Sequence, residues 1–269
     1  MRYVYITVAL VFLMTRGTMA EGQTATNQTP SVKGILDSVL AQMPSDPILI
    51  DGRLSVRDRG QTILFSYKVQ MRLQVDGEAL TGSYTLFTSS GTSLEQFRVS
   101  RAEGQPPKYE YAVGDPLRPA PPPDVFNTIR DTGVTWSDLA LPFLWWRDGS
   151  IVGSGSIKGR ECFIIDVKPS VAEAKLQIVA RVWIDQKYKM LLQAEEHAAD
   201  GKMLRRLTVQ SFKKINDEWM IKDIVVEGPA TLLPQGYKSV LTIQDMRSLG
   251  KSSATSEPSP SQDTHSTRR

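Results

Sequence analysis

The run Glu195-Glu196-His197 is the sequence's nearest approach to an acid–base constellation. Imidazole changes charge near neutral pH, and a neighbouring carboxylate can orient its ring. The run closes an alternating apolar–polar stretch, where an exposed hairpin end accounts for it without any chemistry. Cys162, the chain's one cysteine, opens the apolar stretch Phe163-Ile164-Ile165. It has no partner for an internal disulfide and reads as a small buried hydrophobe. A thiol nucleophile would need a histidine, and the two available are His197 and His265. No H-E-x-x-H, G-x-S-x-G, phosphate-binding glycine loop or zinc-spaced cysteine pair occurs. The expectation is therefore a binding protein and not an enzyme, with no metal and no cofactor.

A different chemistry stands out in Thr135-Trp136-Ser137-Asp138-Leu139-Ala140-Leu141-Pro142-Phe143-Leu144-Trp145-Trp146, which holds three of the five tryptophans. Thr135 followed by Asp138 has the spacing of a capping box, and Pro142 limits how far a helix can run. Such a segment closes one end of an apolar core or forms a lid over an apolar cavity, and the two readings are compatible. The residues predicted to meet an acyl chain are Trp136, Leu139, Phe143, Leu144, Trp145 and Trp146 here, with Phe65, Tyr67, Val69, Met71, Val182 and Ile184 on strands.

The elements that must position these residues are mostly strands. One helix comes first: Val32, Ile35, Leu36, Val39, Leu40 and Met43 recur at helical spacing behind Ser31, and Pro44 stops them. The period then changes to two. From Ile63 to Val75 every odd position is apolar, and from Ser66 the even ones are polar, the mark of a half-buried antiparallel strand. Asp76-Gly77 turns it into a return strand, Leu80 to Thr88. Further candidates are Ile48 to Val56, Leu94 to Arg101, Lys108 to Val113, Ile151 to Lys158, Arg160 to Val167, Leu176 to Asp185, Met190 to His197, Met203 to Lys214, Glu218 to Glu227 and Tyr237 to Met246. Hairpin turns are expected at Asp148-Gly149, Asp200-Gly201 and Asn216-Asp217. These segments predict a meander of roughly ten to eleven strands. The proline-rich stretch from Pro116 to Pro123 is expected to be a loop without ladder hydrogen bonds, leading into a helical piece from Asp124 to Arg130.

A sheet this wide twists and curls, and the chain offers one long helix and one short helical segment to fill its concave side. An underfilled apolar concavity is a site for something apolar. An acyl chain of about sixteen carbons, at roughly 0.8 kcal/mol per buried methylene, supplies on the order of 12 kcal/mol gross without any polar contact.

The ends of the chain set its address. Arg2, the apolar run Val4 to Met14 and the small-residue site Thr18-Met19-Ala20 have the order of a secretory signal peptide, residues 1–20. No later stretch reaches the roughly 20 apolar residues of a membrane helix. Residue 21 is Glu, where a lipid-anchored protein needs Cys, so an unanchored periplasmic protein is expected. Of 32 basic residues, Arg2 and Arg16 leave with the leader, so 30 basic face 29 acidic side chains. That balance provides no field for nucleic acid. Residues 21–30 read as a linker, 31–250 as one domain and 251–269, rich in Ser, Thr and Pro, as a disordered tail.

The C-terminal half resembles the outer-membrane lipoprotein-sorting proteins of the LolA-like superfamily. The residues that carry the likeness are Thr132 to Leu139, Gly153 to Val167, Ala180-Arg181-Val182-Trp183-Ile184-Asp185, Leu191 to Glu195, Asp200 to Leu207 and Phe212 to Lys222. The resemblance implies a mainly β (α+β) fold: an unclosed antiparallel β-barrel with an N-terminal helix and a short helical lid around a hydrophobic cavity. It further implies lipid acyl chains or lipoproteins as ligands; the expected working form is a monomer. Relatives that act as envelope sensors imply a membrane-protein partner as the alternative. From the sequence, no arginine is assignable to the lid latch of that family.

Overall fold

The computed structural model describes residues 30–250 apart from 45, 103, 170–172, 174–177, 216–217, 229–232 and 234–235. The predicted signal peptide, nearly all of the linker, the tail and the Asn216-Asp217 turn lie outside the described residues.

The first element is helix α1 (Val32–Leu40), whose Ser31 hydroxyl accepts the Gly34 amide at 3.0 Å and so satisfies one of the unpaired first-turn donors. Ile35, Leu36, Val39 and Leu40 form its buried face. Its polar face is tied down by Lys33, which meets Asp37 at 2.8 Å and Glu78 at 2.7 Å.

Six strands follow: β1 (Ile48–Arg57), β2 (Ile63–Asp76), β3 (Ala79–Phe87), β4 (Ser93–Arg101), β5 (Lys108–Val113) and β6 (Arg118–Ala120). After the helical segment come seven more: β7 (Asp148–Ile157), β8 (Arg160–Lys168), β9 (Ile178–Asp185), β10 (Leu191–Ala198), β11 (Met203–Ile215), β12 (Glu218–Glu227) and β13 (Lys238–Ser248). All twelve candidate segments become strands, already more than the ten or eleven expected, and β6 brings the sheet to thirteen.

The sheet order is β6-β5-β4-β3-β2-β1-β13-β12-β11-β10-β9-β8-β7, with every neighbouring pair antiparallel. Each half is a meander, and the two join at the β1–β13 seam, where Ile48 lies opposite Ser248 and Arg57 opposite Lys238. The outer strands β6 and β7 do not pair with each other, so the barrel is unclosed. The halves also meet through a buried ion pair: Arg101 at the end of β4 reaches Glu173, between β8 and β9, at 2.6 Å. The Trp146 indole N–H donates to the same carboxylate at 3.2 Å.

Three expectations are corrected. The stretch from Pro116 to Pro123 is not wholly loop: Arg118, Pro119 and Ala120 pair with Val113, Ala112 and Tyr111. β6 is an edge strand, and there a proline costs no ladder bond that the sheet needs. No helix forms over 124–130; the backbone there is turns plus a single bridge, Thr128 to Thr135. Asp148-Gly149 is the start of β7 and no hairpin turn, since Gly149 lies opposite Val167. A Cβ on Gly149 would fall 2.2 Å from the Asp166 carbonyl oxygen, so the glycine permits a close backbone approach. The positive-φ turn of that hairpin is instead Lys158-Gly159, with φ of +51° and +75°.

Candidate functional site

The tryptophan segment folds as α2 (Trp136–Ala140) followed by a 3-10 turn over Pro142–Trp145. The predicted capping box is present. The Thr135 hydroxyl accepts the Asp138 amide at 3.2 Å, and the Asp138 carboxylate accepts the Thr135 amide at 2.7 Å. Leu141 leaves α2 in the left-handed region, φ +48°, and Pro142 starts the 3-10 turn. That reversal brings Leu139, Leu141 and Leu144 to one surface.

Beneath that surface is an apolar cavity of about 230 Å³. The helical side contributes Leu139, Leu141 and Leu144, with Val39 and Met43 from α1 and the residues just after it. The sheet side comes from both flanks of the seam: Ile48 and Ile50 of β1, Met71 and Leu73 of β2, Leu241, Ile243 and Met246 of β13, Met220, Ile221 and Ile224 of β12, and Leu191 of β10. Five methionines take part, Met43, Met71, Met190, Met220 and Met246. Unbranched thioethers adapt to irregular contents better than branched side chains do. The polar exceptions are Gln42, Lys189 and Asp138.

Asp138 belongs to a buried ionic cluster that fastens the lid to the sheet. The Arg205 guanidinium of β11 donates through Nε to Asp138 Oδ1 at 3.1 Å and through Nη2 to Asp138 Oδ2 and, at 2.7 Å, to the Gly133 carbonyl. Glu196 of β10 lies directly across the ladder from Arg205. Burial, with the Asp138 charge beside it, pushes the Glu196 carboxyl up to about 7, while Arg205 and the Ser137 hydroxyl pull the other way.

Of the residues predicted to contact an acyl chain, Met71, Leu139 and Leu144 line this cavity. Val69, Trp136, Phe143, Trp146, Val182 and Ile184 lie in solid core beside it. Trp136 stacks on Phe97 with ring centroids 5.1 Å apart, and Trp146 is fully buried. Phe65 and Tyr67, half-buried with centroids 6.1 Å apart, sit on the β2 half nearer the β1–β2 turn, away from the lining. Trp145 is half-buried and packs against the core. Sequence reasoning missed the seam residues and four of the five methionines, Met43, Met190, Met220 and Met246. The alternation of Ile48 and Ile50 was the available signal, but nothing local marks β13 as their neighbour.

The residues that first suggested chemistry take other roles. His197 Nε2 lies 3.1 Å from Glu195, which also pairs with Arg206 at 2.8 Å. None of the three lines the apolar cavity. The Cys162 side chain is buried, and burial pushes its thiol up, away from the reactive thiolate. Among the described residues no group of three His, Cys, Asp or Glu side chains could hold a metal ion.

A family described as an uncharacterized protein matches residues 127–251. No curated protein matches the chain. Among solved structures, a DUF1329 family protein from Desulfovibrio piger aligns with a TM-score of 0.66 at 15% identity, over 83% of this chain and 95% of that one. An outer-membrane lipoprotein-sorting protein domain from Vibrio parahaemolyticus gives 0.64 at 13% identity, over 81% and 92%. A LolA-superfamily protein from Nitrosomonas europaea gives 0.60 at 15%, over 81% and 93%. The chain therefore has the LolA-like fold, a mostly β, unclosed antiparallel barrel with few helices.

Proposed function

We propose that the protein is a periplasmic, non-catalytic carrier that shelters lipid acyl chains, free or on lipoproteins, in the cavity between the tryptophan segment and the β1–β13 seam. The observation that carries this reading is the cavity itself: apolar walls, five flexible methionines and a roof made from a separately capped segment. A cavity with such a lining stays dry and gains free energy by taking up hydrocarbon. The fold shared with a lipoprotein-sorting domain supports the same reading, as does the signal-peptide pattern of residues 1–20.

Native mass spectrometry of protein purified from the envelope without detergent is the direct test. A co-bound acyl lipid, displaced by a fluorescent fatty-acyl probe, is the expected result. Met220→Glu, which puts a charge on a half-buried wall residue, should weaken probe binding by roughly tenfold or more, because an ion beside hydrocarbon loses its hydration. Protein that is always empty and takes up no acyl probe would overturn the proposal.

A further inference from the structure

The cavity has electrical polarity. Its inner wall carries Asp138, already bridged by Arg205. Half-buried Lys189, next to Met190 in the chain, belongs to the same lining as Met220 and Ile221. The Lys189 ammonium donates to the Gln186 carbonyl at 2.6 Å and lies 5.2 Å from the Phe163 ring centroid. It makes no ion pair among the described residues. An ammonium has three donors, so capacity remains for an anion.

The position of Lys189 is fixed by the turn after β9. One Asp185 carboxylate oxygen accepts the amides of Lys187 at 2.8 Å and Tyr188 at 2.6 Å, and the other accepts Arg160 Nε at 2.6 Å. The Lys189 amide donates to the Asp185 carbonyl at 3.0 Å, and the residue itself sits at φ +54°. A lysine held in the left-handed region in the lining of an apolar cavity is an arrangement that the surrounding contacts must enforce.

Resting on the carrier reading of the same cavity, we infer that its ligand is a single-chain amphiphile with an anionic head, the chain lying under Leu139 and Leu144 and the carboxylate or phosphate meeting Lys189. Volume bears on the chain number: at about 230 Å³ the cavity is below the roughly 300 Å³ at which pockets for drug-sized ligands begin, which favours one chain over two. Charge decides the direction, because of the two charged side chains in the lining Lys189 attracts an anion and the Asp138 carboxylate repels it.

The test compares probes of one tail length: dodecanoate, dodecyl phosphate, dodecanol and dodecyltrimethylammonium, each titrated calorimetrically into full-length protein stripped of lipid. Both anions should bind about ten- to a hundredfold more tightly than dodecanol, the usual gain from a charge-assisted hydrogen bond. Whichever anion binds better tells a fatty acid from a phosphate-headed lipid. Lys189→Met should collapse the dodecanoate-to-dodecanol ratio towards one, Lys189→Arg should restore most of it, and Lys187→Gln, an exposed neighbour with the same loss of net charge, should leave it in place. Equal binding of dodecanol and the anions, or a preference for the ammonium, overturns the head-group inference while leaving the carrier reading intact. Failure of every probe, dodecanol included, sinks the carrier reading itself. Stoichiometric uptake of phosphatidylglycerol from vesicles would overturn the single-chain assignment.

Discussion

Asp138, Arg205 and Glu196 place three ionisable side chains inside the protein, and their energetics are decided by what each leaves unpaired when one is removed. Arg205 satisfies Asp138 and the Gly133 carbonyl together, so Arg205→Leu strands a buried carboxylate. The expected loss is about 3–5 kcal/mol in urea unfolding, with part recovered when Asp138→Asn removes the stranded charge. Glu196 behaves oppositely. Its carboxyl is raised from 4.5 to about 7 in the folded protein, chiefly by burial. Between those values the folded state holds a proton that the unfolded state has released, so this group's contribution falls as pH rises through the window. Glu196→Gln should therefore raise stability at about pH 8, by up to about 3 kcal/mol, and change little at about pH 4. A gain confined to acid would reverse the sign and refute the assignment.

At the scale of elements, the capping box at Thr135 and the alternation from Ile63 to Val75 are local patterns, and both translate directly into structure. Thr135→Ala should cost about 1 kcal/mol and speed the entry of an apolar probe, because α2 is short and the box closes its first turn. An unchanged entry rate would mean that the segment does not gate the cavity. β6 was illegible because a proline excludes a central strand while leaving an edge open. Residues 124–130 lack a helix for a related reason. Arg130 adopts φ +50° and its guanidinium pairs with buried Glu95 at 2.9 Å, a tertiary contact that overrides local propensity. Gly149 misled because a glycine after aspartate signals a turn, whereas here it serves the approach of β7 to β8. Gly149→Ala should cost about 1–3 kcal/mol through that clash and accelerate hydrogen exchange at the start of β7. Exchange that stays slow there would show that the edge can shift without loss.

For the whole molecule, the cavity exists because strands from the two ends of the chain are neighbours. Ile50 and Met246 lie opposite each other across the seam, and both face the space beneath Leu139 and Leu144. Periodicity could assign each to an inward face, but a contact at that sequence separation follows from the topology and not from local spacing. The fold was therefore more legible than the site: of the twelve predicted contact residues three reach the lining, because Trp136, Phe143 and Trp146, with Val69, Val182 and Ile184, pack as solid core, while Phe65, Tyr67 and Trp145 are half-buried outside it. Filling the space separates a ligand site from a mere packing gap. Ile243, buried on β13 and part of the lining, can be enlarged by Ile243→Phe. If the space is truly open, the ring fills it, adding about 0.5–2 kcal/mol in stability while probe binding falls by tenfold or more. If the walls have no spare room, the same ring overpacks the core, costs about 1–3 kcal/mol and exposes apolar surface. Leu54, fully buried but outside the lining, is the control. Leu54→Ala should destabilise by about 2–5 kcal/mol and leave the ordering of probe affinities as it was, since only volume beneath the lid is selected for hydrocarbon.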